Sequence, residues 1–127
     1  MKFKTTIIAL LLSIMSNSYA TEESPCSRLT GSWYGAFWLK DPRECHIYHG
    51  CKHSMLATVT HVSDDLYRAE VHPHVGREGV YNLTCKKGIV TTLDAPGIIE
   101  YQCIDRTICQ VKYDDNRLSA NLLGANV

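Results

Sequence analysis

The chain has 127 residues, 13 basic and 13 acidic side chains, six histidines and six cysteines. A formal net charge of zero excludes the electrostatic footprint of a nucleic-acid or anionic-membrane binder, and the length allows one domain. An even number of cysteines in so short a chain reads as a disulfide framework.

The N-terminus has three parts. Lys2 and Lys4 are positive, residues 7–15 form an apolar run, and Ser18-Tyr19-Ala20 offers small residues at the two positions a signal peptidase reads. About nine apolar residues fall far short of the roughly twenty that span a bilayer. Residues 1–20 are therefore expected to be a signal peptide cleaved near Ala20. Residues 21–127 are then a single secreted or periplasmic domain, without a membrane span, carrying 11 basic against 13 acidic residues. Export places Cys26, Cys45, Cys51, Cys85, Cys103 and Cys109 in an oxidising compartment, where thiols pair. No C-x-x-C pair suggests structural zinc.

After a polar stretch at 21–25, the pattern is almost all of period two, the signature of half-buried strands. The expected strands are 32–39, 54–62, 66–74, 80–85, 89–93, 98–104, 107–113 and 117–123. Turn residues separate them: Asp64-Asp65, Gly76 and Gly79, Lys86-Lys87-Gly88, Asp94-Ala95-Pro96-Gly97, Asp105-Arg106 and Asp114-Asp115-Asn116. Eight strands joined by short turns make an all-β meander. Such a meander removes its free edges by closing into an antiparallel up-and-down barrel. A two-sheet β-sandwich gives the same strand spacing and is the alternative. The alternation puts Trp33, Ala57, Val59, Tyr67, Ala69, Val71, Tyr81, Leu83, Tyr101, Val111, Leu118, Ala120 and Leu122 inside. One connection, 40–53, is long enough for a short helical turn.

At Leu29-Thr30-Gly31-Ser32-Trp33-Tyr34, an L-x-G-x-W opening on the first strand of an eight-stranded meander resembles the calycin barrels, lipocalins and avidins. Cys26 to Trp33 is similar to the avidin opening, and also to that of the small bacterial periplasmic metalloprotease inhibitors. The resemblance implies a calycin-like barrel in which Gly31 and Trp33 are structural, the tryptophan closing the barrel floor. Avidins hold biotin with tryptophans from later strands. Here Trp33 and Trp38 both belong to the first strand, so the resemblance implies no biotin site.

Six histidines invite a metal reading. His46, His49 and His53 crowd one segment, and His72-Pro73-His74 puts two imidazoles on one strand face. Zinc and copper take such ligands. No Glu or Cys completes a tetrahedral set in sequence, so His72, His74, His46 and His49 are expected to be surface residues and no metal or cofactor is assigned. Trp38 has opposite parity to Trp33, so with Trp33 inside it is expected to point outward or cap the barrel mouth. With Tyr34 and Tyr48 it is a candidate contact residue, because aromatics bury large area at low entropic cost. No G-x-S-x-G elbow, H-E-x-x-H helix or phosphate-cradling glycine loop is present, and paired cysteines offer no thiolate.

For the cysteines, a three-residue turn at Asp105-Arg106-Thr107 would set Cys103 opposite Cys109, where ladder geometry suits a bridge. Cys45 and Cys51 would close a compact loop, leaving Cys26 for Cys85. Cys85–Cys103 with Cys26–Cys109 is the rival scheme. The function expected is a secreted non-enzymatic binding protein, using barrel mouth and loops to hold a small apolar ligand or a secreted or periplasmic protein. The alternatives are an inhibitor of an extracellular or periplasmic protease, and a histidine-based metal binder.

Overall fold

Period-two alternation becomes eight antiparallel strands in the computed structural model, which describes residues 25–124. The expected signal peptide and its cleavage site lie outside the described residues. The strands are β1 (Gly31–Leu39), β2 (Lys52–Ser63), β3 (Leu66–Pro73), β4 (Gly79–Lys86), β5 (Ile89–Thr92), β6 (Ile98–Cys103), β7 (Cys109–Asp114) and β8 (Leu118–Gly124). A single 3-10 turn, Ser27–Leu29, precedes β1, and a short helix α1 (Pro42–Ile47) interrupts the β1–β2 connection.

All eight strands belong to one sheet in the order β5-β4-β3-β2-β1-β8-β7-β6. Consecutive strands from β1 to β5 and from β6 to β8 pair as hairpins, and β1 also pairs with β8, bending the meander into a barrel. β5 and β6 lie side by side at the closing seam without a ladder between them. One continuous sheet rules out the sandwich alternative.

Aspartates fix the turns. Asp105 accepts hydrogen bonds from the backbone of Thr107 (2.7 Å) and Ile108 (3.0 Å) and from the Thr107 hydroxyl (2.7 Å). Asp115 does the same for Arg117 (2.7 Å) and Leu118 (2.8 Å). Such side-chain bonds replace backbone partners that a tight turn cannot supply. Asp41 caps α1 by accepting from the Arg43 amide at 2.9 Å, with Pro42 in the first turn, where its missing N–H is harmless.

The floor is built on Trp33, only 2% exposed. Its indole N–H donates to the Leu29 carbonyl at 2.8 Å, and Tyr101 meets its ring edge-on at 6.2 Å. Gly124 lies against the indole so closely that a Cβ there would press into it. Gly31, at φ 124°, turns the chain into β1 in a conformation that favours glycine. The disulfides are Cys26–Cys85, Cys45–Cys51 and Cys103–Cys109. Cys26, Cys85 and Cys109 are buried in the floor cluster with Trp33, and Cys103 packs against it. Cys103 faces Cys109 in the β6–β7 register.

A second apolar cluster fills the other end: Phe37, Leu39 and Ala120, with Met55, Val75, Tyr113 and Leu118 against them. Phe37 and Leu39 continue the inward parity of Trp33. Of the residues expected inside, Val71, Tyr101 and Leu118 are half-buried. Tyr81 departs further, at 38% exposed. It keeps inward parity, but its ring folds back over Gly79 near the barrel rim.

Candidate functional site

The inside of the barrel and its rim are occupied by the protein's own side chains. Cys45 and Tyr48, carried by the α1 loop, pack on the Phe37–Leu39 cluster. The loop is tied down three ways: by Cys45–Cys51, by an Arg117–Glu44 ion pair (2.7 Å), and by Lys40, which reaches Asp114 (2.7 Å) and the Asp115 carbonyl (2.6 Å). Beside it, the Tyr113 hydroxyl donates to Asp115 (2.7 Å) and accepts from the Gly97 amide (3.1 Å). Burial, reinforced by the Asp115 carboxylate, pushes the Tyr113 phenol up to about 12. For Asp115 itself burial pulls upward, but bonds from Tyr113, Leu118 and Arg117 outweigh it and hold the carboxyl below its ordinary value. This network stitches the β5–β6 connection to the β7–β8 turn and is structural. Tyr48, expected as a contact residue, belongs here: it is half-buried and edge-on to His53 at 6.5 Å.

The outer wall is different. Past Ser32, the outward residues of β1 are Tyr34 (65% exposed), Ala36 and Trp38 (38% exposed). Register sets each in a row across neighbouring strands. Tyr34 stands between Leu56 of β2 and Leu123 of β8, both exposed. Ala36 stands between Ser54 and Asn121, and Trp38 between Lys52 and Ser119. The result is a trough: two rows, each with one aromatic at its centre, separated by a row of shorter side chains. Tyr34 and Trp38, four residues apart on a strand, are spaced by about 13 Å along the backbone.

Two open grooves meet on this wall. One, of about 590 Å³, runs past Tyr34, Ala36, Lys52, Ser54, Gln110 and Leu123. The other, of about 400 Å³, runs past Ile98, Glu100, Lys112 and Ser119, and Trp38 and Asn121 border both. The Lys52 ammonium sits 5.5 Å from the Trp38 ring centre, a cation–π contact. Gln110 donates to the Asn121 side-chain carbonyl at 2.9 Å and so orients both amides. Gly35 makes the close approach of β1 to β8 possible, because a Cβ at this position would collide with the Asn121 backbone carbonyl.

Tyr34 and Trp38 are thus brought onto one face. Asn121, Gln110 and Ser54 escape a reading of the sequence alone, since only cross-strand register puts them beside the aromatics. The histidines stay scattered. His72 meets Glu78 at 3.3 Å, His53 bonds the Gly50 carbonyl and His61 the Asp64 carbonyl, both at 2.7 Å, and His46, His49 and His74 are exposed. Among the described residues no three His, Cys, Asp or Glu side chains converge on a metal position. No described helix is long and apolar enough to cross a membrane.

No protein-family model matches the chain. No curated protein matches it either. Among solved structures it is similar to the siderocalin Ex-FABP, described as functioning through dual ligand specificities: TM-score 0.57, 11% identity, covering 79% of this chain and 75% of that one. At that identity the likeness concerns the fold, which is calycin-like, with the eight-stranded barrel that the G-x-W opening implied.

Proposed function

We propose that the chain is an exported, non-enzymatic binding protein whose recognition surface is the outer wall around β1. One observation carries this reading: inward side chains pack on one another, while Tyr34 and Trp38 stand exposed on the opposite face beside two grooves. Exposed aromatics flanked by grooves of a few hundred Å³ are the usual anatomy of a recognition site. Three disulfides suit an extracellular or periplasmic setting. All six cysteines are paired, leaving no thiolate for catalysis.

An inhibitor reading is the second possibility, supported by one feature. Ile47 ends α1 at 64% exposed, on a loop that Cys45–Cys51 and the Glu44–Arg117 pair hold rigid. A rigid loop with an apolar tip loses little entropy when it docks in an enzyme cleft.

A photo-crosslinking residue at position 34, in the cells that make the protein, separates the two. A saturable adduct from position 34, with none from exposed Ile89 on β5, supports the outer-wall site. An adduct from position 47 alone selects the inhibitor. Adducts of equal yield from 34 and 89 remove the site.

A further inference from the structure

The trough on the outer wall has a chemistry specific enough to name its ligand class. We infer that it binds an unbranched neutral saccharide, with Trp38 and Tyr34 as stacking platforms and Asn121, Gln110, Ser54 and Ser119 as hydroxyl partners. The inference rests on the outer-wall reading above and narrows it.

A pyranose ring has an apolar C–H face and a belt of hydroxyls that both donate and accept. It therefore requires an aromatic face beside short groups that also do both. Tyr34 and Trp38, with the floor between their rows, supply that pattern. Ser54 and Asn121 flank Ala36 on the floor, and Ser119 lies next to Trp38 across the β1–β8 ladder. A primary amide has two donor hydrogens and two acceptor lone pairs, so the Gln110–Asn121 bond orients both groups without exhausting either. Ala36 contributes no bulk, so the floor is low between the aromatic walls. The two grooves, of about 590 and 400 Å³, are open along the wall and leave room for a chain of rings lying on the surface.

A protein partner fits less well. Its interface core would have to dry the floor, and the amide and hydroxyl groups of Asn121 and Ser54 would lose water without a guaranteed replacement. Sugar hydroxyls replace that water group by group, directly or through bridging molecules. The charges at the margin balance, Lys52 and Lys112 against Glu100 and Asp114, so the trough has no bias toward a polyanion. That points to a neutral glycan rather than an acidic one.

The test titrates the full exported protein with cellohexaose, chitohexaose and mannohexaose, reading tryptophan emission and amide chemical shifts. At least one of the three should give a saturable change centred on residues 34–38 and 119–123. Trp38→Ala should weaken that binding about tenfold or more, and Asn121→Ala about three- to tenfold. Trp38→Phe, which keeps a platform, should fall between wild type and Trp38→Ala. A native far-UV spectrum and an unchanged melting temperature establish that each variant is folded. The inference is overturned if none of the three sugars binds at millimolar concentration, or if Trp38→Ala binds equally well. It is also overturned if the sugar-free protein sediments as a dimer that Trp38→Ala dissociates, which makes a second copy the occupant. A protein adduct at position 34 together with no sugar binding discards the saccharide and leaves the outer-wall reading standing. Saturable sugar binding that Trp38→Ala abolishes supports both readings whatever position 34 gives, and no sugar binding together with no position-34 adduct removes both.

Discussion

Arg117 grips Glu44 across 73 residues of sequence, Nη2 to Oε2 at 2.7 Å and Nε to Oε1 at 3.1 Å, so that the β7–β8 turn holds down the helix covering the barrel rim. Both groups are anchored before they meet: Glu44 by the capped first turn of α1, Arg117 by the Asp115 turn. Prior ordering lowers the side-chain entropy that usually cancels a surface ion pair.

That pair sets a pH dependence. The hydrogen bonds from Arg117, aided by its charge, hold the Glu44 carboxyl below its ordinary value of 4.5. A group whose pKa is depressed by folding stabilises above its unfolded value and loses that contribution as pH falls through the folded one. Glu44→Gln should therefore lower the melting temperature at pH 7. The difference from wild type should close as pH drops below 4.5, and should shrink in molar salt. Equal melting temperatures at pH 7 and low salt would mean that the pair contributes nothing to holding the loop.

The floor predicts a large effect from one residue. Trp33→Ala removes a fully buried indole, the bond to Leu29 and the edge contact with Tyr101. Denaturant unfolding should show a loss of about 3–5 kcal/mol. Trp33→Phe should cost less, since it keeps part of the packing and strands only the Leu29 carbonyl. A loss below about 1 kcal/mol for the alanine variant would show that Trp33 does not close the floor.

The strand pattern of this chain was legible because the barrel has one buried and one solvated face, so alternation survives in the sequence. Trp33 and Trp38 fall on opposite faces by parity alone, and the turns follow from Asp, Gly and Pro. What parity cannot convey is height along the barrel. Tyr81 has the inward phase of Leu83 but sits near the rim, where its ring folds over Gly79 and stays 38% exposed. Tyr48 reads as an exposed loop aromatic, yet the Cys45–Cys51 loop folds it onto Phe37. The trough was half legible for a related reason. Tyr34 and Trp38 lie on one strand, whereas Ser54, Asn121 and Gln110 reach them only through ladders that pair residues 13 to 89 positions apart.

Gly35 links the fold to the trough. A Cβ at this position meets the Asn121 carbonyl and the Leu122 backbone, neither of which can move without displacing β8. Gly35→Ala should cost about 1–3 kcal/mol or more, the usual range for overpacking. It should also shift the amide resonances of residues 119–123, because β8 must slide or lift. Wild-type stability with unchanged β8 resonances would mean that the strands are less tightly apposed than the structure has them.

The three disulfides should differ in what they contribute. In the chain-entropy account a bridge stabilises by closing a loop in the unfolded state, and longer loops gain more. Cys26–Cys85 spans 59 residues of separation, whereas Cys45–Cys51 and Cys103–Cys109 each span 6. The expected contributions are about 4 kcal/mol for the long bridge and about 2 kcal/mol for each short one. Packing widens the gap to Cys45–Cys51. Cys26 and Cys85 are both buried against the Trp33 floor, so paired serines there also bury hydroxyls, whereas Cys51 is exposed. Cys26→Ser with Cys85→Ser should therefore give the largest drop in melting temperature of the three double variants. Cys45→Ser with Cys51→Ser should chiefly loosen the α1 loop, seen as faster hydrogen exchange over residues 42–51 with the floor amides unchanged. Non-reducing peptide mapping comes first. Linked peptides carrying Cys85 and Cys103 would exchange the partners of two bridges and overturn this ranking. A ranking in which the Cys45–Cys51 variant is the least stable would locate the main restraint on the unfolded chain in the rim loop and not in the floor.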